Sequence, residues 1–182
     1  TRGSNHMRLV GPRQVVRVTT NAPISYLLEE RSFRLGEDLW FVLGPDEAVP
    51  EDVRDVGRNQ LEATLDWWHG WVRGLSIPFE WQEAVIRAAI TLKLCNFEET
   101  GAIVAALTTS IPEAPHTQRN WDYRYCWIRD SFFVIRVLNA IGVTRTMEDY
   151  IRFITDIVDD ARDRGIQPVF GISRESNLEE IV

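Results

Sequence analysis

Residues 119–130 read Arg119-Asn120-Trp121-Asp122-Tyr123-Arg124-Tyr125-Cys126-Trp127-Ile128-Arg129-Asp130. Four aromatic rings are set among charges, and the stretch runs into a helical pattern at Asp130. Aromatic rings beside Arg and Asp suit a pyranose, whose C–H faces pack on rings while its hydroxyls take charge-assisted hydrogen bonds. Arg129 can donate in a planar fork, and Asp130 can accept from one or two hydroxyls. The same residues also admit a structural reading. Arg129 and Asp130 can form an ion pair at a helix start, with Asp130 as N-cap and first-turn charge. Tyr123, Tyr125 and Trp127 can be one side of an extended segment. Cys126 has no nearby His to activate it, so it reads as a core thiol.

Upstream lies Gly101-Ala102-Ile103-Val104-Ala105-Ala106-Leu107-Thr108-Thr109-Ser110-Ile111-Pro112-Glu113. Together the two stretches occupy a long irregular region, Thr100 to Trp127, and long ordered loops in compact domains are often functional. Helical periodicity surrounds it. Leu61, Leu65, Trp68 and Val72 form one apolar stripe that Gly74 ends. Glu80 to Phe97 predicts a second helix, with Trp81, Val85, Ala88, Leu92 and Cys95 on one face and Ile86, Ile90 and Leu94 on another. A third runs from about Asp130 to Ile141, closed by Gly142. A fourth opens at Thr146, buries Tyr150, Ile154, Ile157 and Ala161, and closes at Gly165. Trp67-Trp68-His69-Gly70-Trp71 suggests a second aromatic platform, but its helical spacing makes Trp68 a core residue, and His69 reads as a surface position.

Before Pro50 the pattern is strand-like. Gln14 to Thr20 is β-branched, Asn21-Ala22-Pro23 breaks it, and apolar runs follow at Ile24–Leu28 and Leu39–Leu43. Three such strands bury too little to stand alone, so they read as the end of a larger sheet. Thr1 to Met7 reads as a remnant of recombinant expression. The domain expectation is therefore a remnant at 1–7, strands at 8–46 and helices at 47–182.

Composition narrows the function. A net charge of −7 argues against a nucleic-acid partner, which needs clustered positive charge. No apolar run is long enough to span a membrane. The two cysteines, Cys95 and Cys126, lie in apolar surroundings, which fits buried free thiols and a reduced, cytoplasmic setting. No closely spaced Cys/His set suggests a metal, and no cofactor is expected.

The stretch GAIVAALTTSIPE followed by RNWDYRYCWIRD resembles the paired signature of bacterial glycoside hydrolase family 15 proteins, the glucoamylase, glucodextranase and trehalase group. TTNAPISYLLE and WFVLGPDE are similar to the last strands of that family's N-terminal β-sandwich. The resemblance implies a mostly α chain: the first helices of an (α/α)6 barrel preceded by the end of that sandwich. It implies inverting hydrolysis of α-linked glucosides (maltooligosaccharide, dextrin or trehalose) by two glutamates. Tyr123 and Trp127 would line the subsite for the non-reducing-end glucose, and Arg129 and Asp130 would bind its hydroxyls. Trp121 and Tyr125 would pack behind them. The family's acid and base belong to later helices, and the carboxylate pairs Glu98-Glu99 and Glu179-Glu180 read as solvated helix ends. The isolated chain is therefore expected to be inactive and to self-associate through uncovered helix faces. The alternative is a non-catalytic carbohydrate-binding or regulatory module, since the same fold occurs in regulatory subunits such as that of phosphorylase kinase.

Overall fold

The computed structural model describes residues 3–108, 112, 114–161 and 165–178. About 41% of the chain is helical and 14% is strand, and it divides into two compact units, Thr1–Trp71 and Val72–Val182.

The first unit is built on an antiparallel sheet of β1 (His6–Val10), β2 (Val15–Thr20) and β3 (Phe41–Pro45), with β2 in the centre. β1 and β2 are joined by a tight turn in which the Gly11 N–H donates to the Gln14 carbonyl at 2.9 Å. Register places His6 opposite Thr19, and Arg17 opposite both Arg8 and Gly44. Alternation along β2 puts Val16, Val18 and Thr20 on one face and Arg17 and Thr19 on the other. On the polar face Asp46 gathers charge. It takes a hydrogen bond from Arg8 Nε at 2.9 Å, and its Oδ1 lies 4.0 Å from Arg17 Nη1.

His6 and Met7 pair in β1 with Thr19 and Val18. One expectation is corrected here. Ile24–Leu28, read as a strand, is instead the short helix α1. Pro23 ends the preceding extended segment, and its carbonyl accepts the N–H groups of Tyr26 at 3.0 Å and Leu27 at 3.2 Å, which starts a helical turn. A five-residue apolar run has no period strong enough to decide between helix and strand. Asn21 closes the following loop, donating from Nδ2 to the Asp38 carbonyl at 2.9 Å and accepting the Trp40 N–H at 2.8 Å.

Helix α2 (Val53–Arg73) begins with Asp52, whose carboxylate accepts the Arg54 N–H at 2.8 Å, the geometry of an N-cap. It ends one residue before Gly74, as the sequence implies. Gly57 is needed inside it, because a β-carbon there would lie 2.3 Å from Trp40 Cε3. The expected apolar stripe is present, but Leu61 and Leu65 are 51% and 47% exposed. Periodicity assigns a face; it does not supply the neighbour that covers it. Trp68 is half-buried, edge-on to both Trp67 and Trp71.

The second unit carries α3 (Gln82–Leu94), a short hairpin of β4 (Asn96–Phe97) and β5 (Ala102–Ile103), a ladder of β6 (Cys126–Trp127) with β7 (Val169–Phe170), and the helices α4 (Ile128–Ala140) and α5 (Thr144–Ala161). α3 is shorter than expected. Trp81 precedes it in a left-handed conformation (φ 61°) and is 79% exposed rather than packed. At its other end the half-buried Lys93 donates from Nζ to Asn96 Oδ1 at 2.9 Å, lies 2.5 Å from Glu98 Oε1, and reaches Thr146 Oγ1 on α5 at 3.5 Å.

α4 and α5 pack as a hairpin. Gly142 (φ +90°) donates to the Asn139 carbonyl at 3.0 Å and Val143 to the Leu138 carbonyl at 2.9 Å, which together make a Schellman cap. The core of this unit gathers Cys95, Ala102, Ile103, Val104, Cys126, Tyr150, Phe153, Ile157 and Phe170. Tyr150 and Ile157 are where the periodicity puts them. Phe153, almost fully buried, lies three residues on from Tyr150 in the same stripe and was passed over for the half-buried Ile154.

Candidate functional site

The two signature stretches meet through their backbones. The Val104 N–H donates to the Cys95 carbonyl at 2.9 Å, Ala105 to Tyr125 at 3.1 Å, and Ala106 to Tyr123 at 2.9 Å. Gly101 makes the approach possible. It holds φ +85°, and a β-carbon there would lie 2.2 Å from the Asp149 carbonyl oxygen on α5. Of the upstream stretch, Thr109, Ser110, Ile111 and Glu113 lie outside the described residues.

From Tyr125 the chain passes into β6, where Cys126 pairs with Phe170 and Trp127 with Val169. The next residue, Ile128, donates its N–H to the Pro168 carbonyl at 3.0 Å and begins α4. The N-cap position is Trp127, extended at φ −86° and ψ 116°, with no side-chain capping bond. Asp130 is therefore not the N-cap of the structural reading but a first-turn residue, where the positive end of the helix dipole favours a carboxylate. Ser131 fixes this start. Its Oγ lies 2.8 Å from the Trp127 carbonyl and 3.0 Å from that of Ile103, and the Cys126 sulfur is 3.4 Å away.

Arg129 and Asp130 are brought together, Nη2 to Oδ2 at 3.4 Å, with side chains 80% and 40% exposed. A contact that long and that exposed adds little to stability. It leaves most of both groups' hydrogen-bonding capacity for a ligand. Tyr123 is partly exposed and is tied to the site through its backbone carbonyl. Trp127 is half-buried, and its indole N–H is shut off from solvent with no acceptor among the described residues. Trp121 meets it edge to face, with ring centroids 5.9 Å apart and planes at 88°.

Three features escaped the sequence reading. Asp122 accepts from Arg124 at 3.0 and 2.7 Å through the guanidinium and at 3.0 Å through the backbone, and this side-chain bond holds the Asp122 carboxyl below its ordinary range. Arg119 lies over the Trp121 ring at 5.3 Å from its centroid. Ser131 locks the helix start. The first was legible as an Asp-x-Arg spacing; the other two depend on how the loop closes.

The thiol next to these positions is not set up as a nucleophile. Cys126 is fully buried, and burial pushes its thiol up, which disfavours the thiolate a nucleophile needs. Both cysteines are free. Glu98 is exposed and paired with Lys93. Among the described residues no group of His, Cys, Asp and Glu could hold a metal ion, and no helix is long and apolar enough to cross a membrane. The segment presents an exposed guanidinium–carboxylate pair in the first turn of a helix, directly after Trp127 and Ile128 in the chain, a set of donors and acceptors suited to hydroxyl groups.

Residues 81–180 match the family model for glycosyl hydrolases family 15, and this span holds the whole site. The chain is 34% identical over 174 residues to a trehalase of Mycobacterium tuberculosis, covering 91% of this chain and 25% of that protein. It is 32% identical over 172 residues to a trehalase of Mycolicibacterium smegmatis, with 91% and 26% covered. A trehalase of Thermoplasma volcanium is 37% identical over 121 residues, with 66% and 19% covered. These relatives include archaeal as well as bacterial proteins. The chain thus spans about a quarter of the length of the curated relatives it matches most extensively. No solved structure matches it. With the family model covering more than half of the 182 residues, the chain belongs to glycosyl hydrolases family 15.

Proposed function

We propose that this chain is the glucose-holding segment of an inverting glycosidase that cleaves α-linked glucosides, with trehalose the preferred substrate among trehalose, maltooligosaccharides and dextrins. The observation that carries the reading is the exposed Arg129–Asp130 pair in the first turn of α4, inside the family-matched span. The trehalase relatives support trehalose as the glucoside. In this reading the segment forms the end of a β-sandwich and the first helices of an (α/α)6 barrel. The two buried free thiols suit a reducing, cytoplasmic setting.

Arg129 donates two parallel N–H bonds to neighbouring hydroxyl oxygens, and Asp130 accepts from hydroxyl protons. Each charge-assisted bond contributes about 1.5–3 kcal/mol. Trp127 and Tyr123 cover the C–H face of the ring. As the glycosidic bond stretches, positive charge grows at the anomeric carbon, and the carboxylate of Asp130 strengthens its hold on the distorting ring. The acid and base, which inversion sets about 6.5–9.5 Å apart around a water, are contributed from outside this segment. The 182 residues alone therefore bind a glucosyl group weakly and turn nothing over.

The test is hydrolysis of α,α-trehalose by the full-length protein, followed by NMR before the sugars mutarotate. Inversion at the attacked carbon with retention in the leaving glucose gives equal α- and β-glucose. Exclusive α-glucose would refute inversion, and absence of hydrolysis of any α-glucoside would refute the enzymatic reading.

A further inference from the structure

Trp121 contacts both Arg119 and Trp127. The Arg119 guanidinium lies 5.3 Å from its ring centroid, within cation–π reach. The same ring meets that of Trp127 at 5.9 Å and 88°, a T-shaped contact. Trp121 is half-buried while Arg119 is exposed, so the cation sits at the outer end of the stack. With one contact taken by a cation and another by an indole, Trp121 is poorly placed to serve as a sugar platform itself. Its position suits a brace.

Trp127 needs such a brace. It is the last extended residue before α4, with its backbone fixed by pairing to Val169 and by the Ser131 hydroxyl. Neither bond sets the tilt of the indole, and its N–H makes no hydrogen bond among the described residues that would orient the ring. Packing against Trp121 restrains rotation about its side-chain bonds, and the guanidinium restrains Trp121 in turn.

We infer that Arg119 is a positioning residue for the glucose subsite: through Trp121 it fixes the orientation of the Trp127 ring. The inference rests on the proposed function for its effect on substrate, but not for its geometry. Arg119 acts on ring orientation and not on charge at the anomeric carbon, so it affects binding of the glucosyl ring more than the chemical step.

The experiment compares Arg119→Ala, Arg119→Lys, Trp121→Leu and the double variant Arg119→Ala/Trp121→Leu in the full-length protein. KM and kcat for trehalose are measured, together with near-ultraviolet circular dichroism, which reports coupled indoles. Arg119→Ala should raise KM about two- to fivefold, the equivalent of losing one exposed cation–π contact, with kcat nearly unchanged. Arg119→Lys keeps a cation over the ring and should restore most of the loss. If Arg119 acts on the subsite through Trp121, the double variant should match Trp121→Leu alone in KM. Additive losses in the double variant would mean that Arg119 acts independently of Trp121 and would overturn the inference. An unchanged KM with a lowered melting temperature would also overturn it, since that is a purely structural role. If the wild-type protein hydrolyses no α-glucoside, the functional reading falls. The dichroism still decides the brace: a change in the indole bands in Arg119→Ala, reversed in Arg119→Lys, supports it, and superimposable spectra refute it.

Discussion

The hydroxyl of Ser131 lies 3.0 Å from the carbonyl oxygen of Ile103, joining the first turn of α4 to the β5 strand of the upstream signature stretch. The same oxygen is 2.8 Å from the Trp127 carbonyl and 3.4 Å from the Cys126 sulfur, and Ser131 itself is buried. One small polar side chain thus ties the two stretches together next to the Arg129–Asp130 pair. Ser131→Ala leaves buried acceptors short of a donor and should cost about 1–2 kcal/mol of stability. Urea unfolding of the variant checks this. An unchanged midpoint would mean that the tie is made by other groups.

Gly101 makes a sharper case. A methyl group there would meet the Asp149 carbonyl at 2.2 Å, and the backbone holds φ +85°, which a side chain resists. Gly101→Ala should lose at least about 2 kcal/mol, strain and overpacking acting together. Gly165 also has positive φ, but among the described residues nothing lies within 4 Å of an added β-carbon. Gly165→Ala should therefore cost clearly less, which makes the pair an internal control in thermal melts.

Burial sets a pH dependence at Tyr150. Desolvation pushes its hydroxyl up to about 12 from an ordinary value of 10. Between those values the unfolded chain releases this proton while the folded chain keeps it, so folding stability falls as pH rises through the interval. Spectrophotometric titration should find one of the four tyrosines ionising late, and Tyr150→Phe should remove that late step. A late step that persists in Tyr150→Phe would assign it to another residue.

Much of the second unit was legible in the sequence because its helices carry strong one-sided periodicity with glycine punctuation. α5 repeats apolar residues at Tyr150, Phe153 and Ile157, and Gly142 marks the turn before it. The candidate site was proposed from composition: aromatic residues beside Arg129 and Asp130 in the sequence. What escaped needed tertiary information. Ile24–Leu28 is too short for a period to decide, and Pro23 made it a helix. Leu61 and Leu65 share a stripe, yet a stripe cannot say what covers it. The Arg119–Trp121–Trp127 stack depends on loop closure, which spacing does not encode.

Uncovered apolar side chains bear on association. Leu61 and Leu65 on α2 and Phe132, Phe133 and Val137 on α4 are about half exposed, and contiguous apolar patches promote association. The isolated 182-residue chain should form dimers or larger species at micromolar concentration. Light scattering that finds a monomer at every concentration would contradict this.

The central claim is that Arg129 and Asp130 hold a glucosyl ring instead of serving the fold. Their mutual contact is long and exposed, and Asp130 does not cap α4. The decisive measurement is kcat/KM and melting temperature of Arg129→Lys and Asp130→Asn in the full-length protein. Lysine keeps the charge but loses the planar fork, and asparagine keeps the shape but loses the charged acceptor. Each should lower kcat/KM by about ten- to 150-fold, corresponding to about 1.5–3 kcal/mol of lost charged bonding. The melting temperature should barely move. Near-normal kcat/KM with a large fall in melting temperature would show that the pair is structural and would contradict the account.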